Sequence, residues 1–290
     1  MRRPRGLLRH IRRALLGILA AGFACAAYIY LTLPDVRPLR TENPGETAFM
    51  RLRAAEAIRR GEEPRRVQRW VSYDRVSGNL TRAVLAAEDS AFWAHAGIDL
   101  QQIRESLEIN LERGEFARGA STITQQLAKN LYLSPSKNPV RKIKELLIAR
   151  RLEVELSKRR ILEIYLNVIE WGDGIYGAEA AARACFRKPA SALSAEEAAL
   201  LAGAIINPRV LNPRQPNARL RARQQLIMRR MGAQAPPAAG GPEAPAEDAP
   251  ANDAPAETPR PVDGVPHALP GQRLPPPRPP GNSVKPPGGR

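Results

Sequence analysis

Apolar positions fall into blocks along this chain, and most blocks carry a helical period. The first block is unbroken. Ala14 to Leu33 runs 20 residues without a charge, and Pro34-Asp35 stops it. At about 1.5 Å per residue, such a helix spans the roughly 30 Å of a bilayer's hydrocarbon. Beyond it, residues 79–96 read as one helix, with Asn79 or Thr81 as cap and Gly97 as terminator. A second helix covers 120–133. Asn138-Pro139 starts a third, a cap followed by proline at the first helical position. Ser157 restarts the chain into KRRILEIYLNVIEWG. Ser194 with Glu197 makes a capping box ahead of AALLAGAII, and Asn207-Pro208 closes that helix. A last helix covers about 217–231, with Gly232 beyond it. Strand-like alternation is weak everywhere except 67–74. The pattern predicts a mainly α domain.

Composition changes this picture at both ends. Seventeen of the 28 prolines fall between Ala233 and Arg290, among small and polar residues. Residues 233–290 are therefore expected to form a disordered tail without a core of their own. Residues 34–232, about 200, suit one domain with a sizeable core. At the other end, MRRPRGLLRHIRR (residues 1–13) holds six Arg and no acid, so it is expected to stay in the cytoplasm. Residues 14–33 are then a single-pass transmembrane signal-anchor, and everything after them lies across the membrane. A cleaved signal peptide has a shorter apolar core, and Tyr28 and Tyr30 suit an interfacial anchor.

Net charge is +16, of which +11 belongs to residues 34–232. A basic domain held beside a bilayer is drawn to phosphates and anionic headgroups. Nucleic acid is the usual partner of such a charge. Here the topology and the lack of a nucleic-acid-binding motif argue against it. The two cysteines, Cys25 and Cys185, have neither disulfide nor metal-site spacing.

Candidate chemistry gathers in three stretches. In GASTITQQLAKNLYL (119–133) the polar residues are uncharged hydrogen-bonders, and Lys129 is the one charge. Ser121, Gln125 and Lys129 lie at i, i+4 and i+8 on one helical face, suited to an anion, with Gln126 and Asn130 beside them. In LAAEDSAFWAHAGID (85–99), helical spacing puts Val84, Glu88, Phe92 and His95 on one face, with Asp89 adjacent. Desolvation there makes Glu88 a better general base. In PVRKIKELLIARRLE (139–153), Glu145 stands among Arg141, Lys142 and Lys144, and Lys137 precedes the helix. Any one of these acids alone is ordinarily a surface ion pair or a cap. Together, two carboxylates and a basic cluster suit sugar transfer with a phosphate leaving group.

EDSAFWAHAGID, GASTITQQLAKNLYL, RKIKE, KRRILEIYLNVIEWGDGIYGAEAAARACF and AALLAGAIINPRVLNP occur in this order. They resemble the five motifs of the family 51 peptidoglycan glycosyltransferases, over most of residues 80–215. SPSK at 134–137 has the Ser-x-x-Lys form, but no Lys-Thr-Gly follows. The chain therefore resembles the monofunctional members rather than the bifunctional penicillin-binding proteins.

The resemblance implies a lysozyme-like bilobal domain with a mobile, membrane-facing jaw formed by IDLQQIRESLEINLERGEF. It implies an enzyme of the bacterial inner membrane that polymerises lipid II into β-1,4-linked glycan with inversion, releasing undecaprenyl pyrophosphate. Glu88 would be the general base. Ser121, Gln125, Lys129, Lys137, Arg141 and Lys144 would bind the donor or its pyrophosphate. Glu145 would be a catalytic acid residue at the pyrophosphate, as a ligand where a divalent cation (Mg or Mn) is used; no obligatory cofactor is implied. Asp89, Phe92, His95, Gln126 and Asn130 would support the site. Lys137 stands where other members carry Arg, which keeps the charge without the bidentate fork. Partners would be lipid II, the growing lipid-linked strand, membrane lipids, and other wall synthases or division proteins. Two rival functions share parts of this pattern: a lysozyme-like enzyme that cuts glycan, and an inactive membrane scaffold.

Overall fold

The computed structural model describes residues 5–114, 121–134 and 138–233. Ten α-helices appear among them. They are α1 (Arg5–Leu31), α2 (Ala48–Arg59), α3 (Gly78–Glu88), α4 (Leu100–Arg113), α5 (Ile123–Tyr132), α6 (Pro139–Glu155), α7 (Lys158–Val168), α8 (Ala178–Phe186), α9 (Ala195–Ala204) and α10 (Ala218–Ala233). One small sheet, in the order β1-β3-β2, joins Val67–Gln68, Ile175–Tyr176 and Glu170–Gly172. β1 runs parallel to β3, and β2 antiparallel to it. The expectation of a mainly α domain holds.

The helix starts follow the sequence closely. Thr122, Asn138, Ser157 and Ser194 each cap their helix by accepting a backbone N–H. Pro139 occupies the first turn of α6, and Ser194 with Glu197 forms the full capping box. Several boundaries differ. α5 starts at Ile123 rather than 120, so Ser121 precedes the cap Thr122 and is not on the helix, and α9 ends at Ala204, before Asn207. Ser77, not Asn79 or Thr81, caps α3. The helix expected over 79–96 stops at Glu88, so Phe92 and His95 reach the site from a turn rather than along a helical face. Gly232 lies inside α10, not past its end. The strand expected over 67–74 is only two residues long.

α5 is the centre of the fold. It packs against α6, α7 and α2. Ile123, Leu127 and Leu131, at i, i+4 and i+8, are buried on its apolar side. Leu80, Val84, Phe92, Ile148, Leu152, Ile161 and Trp171 complete the surrounding core. α3 packs on α9 and α10, which brings the end of α3 beside the middle of α5. Because α5 is almost entirely enclosed, its polar side chains need partners inside the protein.

Arg12–Leu31 of α1 is long and apolar enough to cross a membrane, and its side chains there are mostly exposed.

Candidate active site

The chain leaves α3 at Glu88 for a specific reason. Asp89 adopts φ −163° and ψ 81°, outside the helical region. Its buried carboxylate accepts the backbone N–H of Ile123 at 2.9 Å and lies 2.9 Å from His95 Nε2. His95 Nδ1 accepts the N–H of Gly97 at 3.1 Å, which leaves the ring proton on Nε2, aimed at Asp89. Thr122 Oγ1 donates to the Gly97 carbonyl at 2.7 Å and accepts the N–H of Gln125. Asp89 and Thr122 thus satisfy the first N–H groups of α5 and tie its start to the turn after Glu88. Phe92 is fully buried under this turn, edge-on to Trp93, and the Lys158 ammonium stands 4.3 Å from its ring centre.

Glu88 faces α5. Its Oε2 accepts Gln126 Nε2–H at 2.9 Å, and Gln126 Oε1 accepts the Tyr165 hydroxyl at 2.9 Å. Asn130 Nδ2 donates to the Gln126 backbone carbonyl, which braces the helix at that point. Burial pushes the Glu88 carboxyl above the usual range. The Gln126 hydrogen bond and the charges of Arg223 and Lys129 oppose that rise, and Asp89 adds to it.

The second acid, Glu145, is buried on α6. Arg141 takes one of its oxygens and Lys142 the other. The Lys142 ammonium also donates to Gln125 Oε1 at 3.1 Å and to Ser121 Oγ at 3.4 Å. Gln125 is itself enclosed, with its Nε2 directed to the Gly97 carbonyl at 3.4 Å. Lys129 stands between the two acids on α5, half-buried. Burial lowers its pKa, Glu145 and Glu88 raise it, and Arg141 and Lys142 lower it. Among the described residues its ammonium makes no hydrogen bond.

The structure therefore joins Ser121, Gln125, Arg141 and Glu145 around Lys142, and joins Gln126 to Glu88. It does not bring Lys144 to this group. The Lys144 ammonium donates to Thr32 Oγ1 at 3.2 Å and stands over the Tyr28 ring, on the side of α6 facing α1. Arg141 and Lys142 reach Glu145 at i+4 and i+3, whereas the neighbour of Glu145 in sequence points away. Lys137 lies outside the described residues. Sequence reasoning missed three groups: Lys142 as a bridge, Tyr165 behind Gln126, and Arg223 of α10 near Glu88. The RK pair of RKIKE carried a signal for the first through its spacing to Glu145. Tyr165 sits in an apolar helical run and reads as core, and Arg223 is distant in sequence.

A half-buried acid and a cationic cluster thus flank one ammonium that has no acceptor among the described residues. That arrangement can take a proton on one side and stabilise a phosphate on the other. A transglycosylase family model matches residues 55–232. The chain belongs to the transglycosylase family. Over 195 residues this transglycosylase is 47% identical to a biosynthetic peptidoglycan transglycosylase of Dechloromonas aromatica (strain RCB), covering 67% of this chain and 84% of that one. A protein of the same description from Chromobacterium violaceum is 46% identical over 220 residues, covering 76% and 96%. One from Azoarcus sp. (strain BH72) is 45% identical over 231 residues, covering 80% and 99%.

Glu145 is the residue that would hold a divalent cation beside a bound pyrophosphate in this transglycosylase. Both Glu145 oxygens are engaged by protein cations, Arg141 on one and Lys142 on the other. Asp89, His95 and Asp99 offer atoms within 4.8 Å of one another. Asp89 is already bonded to Ile123 and His95, His95 also to Gly97, and Asp99 caps α4 through Gln102. That cluster is the framework of the turn.

Proposed function

We propose that this protein is a peptidoglycan glycosyltransferase of cell wall synthesis, polymerising a lipid-linked disaccharide (lipid II) and releasing undecaprenyl pyrophosphate. The observation that carries the reading is Lys129, whose ammonium feels the charges of both the half-buried base candidate Glu88 and the Arg141–Lys142–Glu145 cluster. Glu88 takes the proton from the 4-hydroxyl of the acceptor GlcNAc. That oxygen forms a bond to the anomeric carbon of the donor's MurNAc from the face opposite the pyrophosphate. The carbon–oxygen bond to pyrophosphate breaks, so an α-linked donor gives a β-1,4 linkage. Lys129, Arg141 and Lys142 stabilise the charge that leaves. Burial that raises the Glu88 pKa makes it a stronger base once ionised.

The substrate's lipid accounts for the anchor. The apolar helix keeps the domain at the outer face of the cytoplasmic membrane, where donor and acceptor both remain. Leu100, Leu107 and Leu111 of α4 are exposed, in keeping with a jaw that meets the bilayer in a lysozyme-like domain.

Full-length protein incubated with lipid-linked disaccharide is expected to form glycan, and Glu88→Gln to form none. Shortening of finished glycan without polymer formation would favour a hydrolase instead. Full complementation of a deletion strain by Glu88→Gln would favour the scaffold.

A further inference from the structure

Among the described residues, the carboxylate of Glu88 has one specific protein contact, Gln126. Gln126 stands between two oxygens, the Glu88 carboxylate and the Tyr165 hydroxyl. A carboxamide has two unlike ends. Its NH₂ end stabilises a carboxylate, whereas its oxygen end repels a carboxylate and accepts from the protonated acid. Which end faces Glu88 therefore bears on whether Glu88 can act as a base.

Resting on the reading of Glu88 as general base, we infer that Tyr165 is a positioning residue that fixes which end Gln126 presents to Glu88. Tyr165 is fully buried on α7, so packing of the core sets where its hydroxyl points. Burial, with the charges of Glu88 and Asp89 nearby, holds the phenol well above its ordinary pKa, and it stays a donor. It donates to Gln126 Oε1. With Oε1 committed to Tyr165, Nε2 turns to Glu88. Turning the carboxamide over would leave the phenol proton facing an NH₂ group and break the one hydrogen bond the hydroxyl makes among the described residues. Asn130 holds the Gln126 backbone and not its side chain, so it does not select an end.

Other groups also act on Glu88, and the test must leave them alone. Asp89 adjoins it, with His95 behind Asp89. Lys129 reaches it from α5 and Arg223 from α10, where Arg223 Nε also donates to the Gly203 carbonyl. Tyr165→Phe removes one oxygen and alters none of these charges.

The experiment measures kcat/KM against pH for full-length protein with lipid-linked disaccharide in detergent. In Tyr165→Phe, the acid limb is expected to move upward by about one pH unit. Rate should return at alkaline pH, with KM close to wild type and the variant still folded at the assay temperature. Gln126→Met removes the carboxamide and should move the limb in the same direction. In that background Tyr165→Phe should move it no further. An unmoved limb in Tyr165→Phe, or an equal further shift in the Gln126→Met background, would overturn the inference. If Tyr165→Phe fails to fold, Gln126→Met decides: an unmoved limb there overturns it. An active Glu88→Gln would sink the underlying reading of the base. An inactive Glu88→Gln with an unmoved Tyr165→Phe limb would sink this inference alone.

Discussion

Lys142 and Lys144 are two residues apart on α6 and serve different neighbours. Lys142 holds Glu145, Gln125 and Ser121, while Lys144 reaches the anchor helix. Lys142→Met should therefore lower kcat/KM in detergent by about 10²-fold, the usual scale for losing one donor to developing charge. Lys144→Met should stay within a few-fold of wild type in the same assay, and equal losses would contradict the distinction. Glu88 carries a second expectation. Its pKa is raised in the folded state, chiefly by burial, so the native protein binds a proton where the unfolded chain does not. Stability falls as pH rises from the unfolded pKa of about 4.3 through the folded value, then levels off. Glu88→Gln should thus melt higher than wild type at neutral pH, and the gap should close as pH falls below about 4. An inactive variant with no gain in melting temperature would argue against strain at the base. At this scale the acids were legible because a carboxylate beside apolar or basic residues stands out. Lys142 and Tyr165 were not. The charge of Lys142 is one of several in its run, and a tyrosine in an apolar helix looks like packing until its hydroxyl's partner is known.

Helix starts were more legible than helix ends. A cap needs only a side chain and a backbone N–H two or three residues on, as at Asn138, Ser157 and Ser194. The end of α3 depends instead on Asp89 reaching Ile123, 34 residues away, which no local pattern records. The small sheet is a similar case, since β1 pairs with β3 across more than 100 residues. Gly97 is where the turn after α3 is most exposed to change. Its φ is +86°, and an added Cβ would come within 2.9 Å of Glu153 Cγ. Its carbonyl also accepts Thr122, the cap of α5. Gly97→Ala should cost on the order of 1–3 kcal/mol in chemical denaturation. It should also lower polymerisation beyond what the loss of folded protein explains, because the turn sets Glu88 against α5. A variant with wild-type stability and rate would mean the turn tolerates both strain and displacement.

For the molecule as a whole, α6 is the link between anchor and chemistry. One side of it carries Arg141, Lys142 and Glu145. The other meets the end of α1, where Lys144 stands 5.7 Å from the Tyr28 ring centre and Arg151 4.8 Å from that of Tyr30. Arg151 also donates to the Tyr30 and Pro34 carbonyls, and Arg40 pairs with Glu155 at 2.7 Å. The sequence indicated an anchor and a basic domain, but not that one helix would join them, because the contacts cross more than 100 residues. These contacts fix how the site sits relative to α1, the helix long and apolar enough to cross a membrane. In detergent that orientation is of little consequence, since substrate reaches the site from any direction. In a bilayer, donor and acceptor arrive at one depth, and a loosened domain spends less time facing them. Each cation–ring contact contributes about 0.5–1 kcal/mol at exposed sites. Replacing both rings, as in Tyr28→Leu with Tyr30→Leu, keeps the span apolar and removes only the contacts. The double variant should polymerise like wild type in detergent and up to about tenfold slower in liposomes. Equal rates in the two settings would mean that the anchor tethers the domain without orienting it.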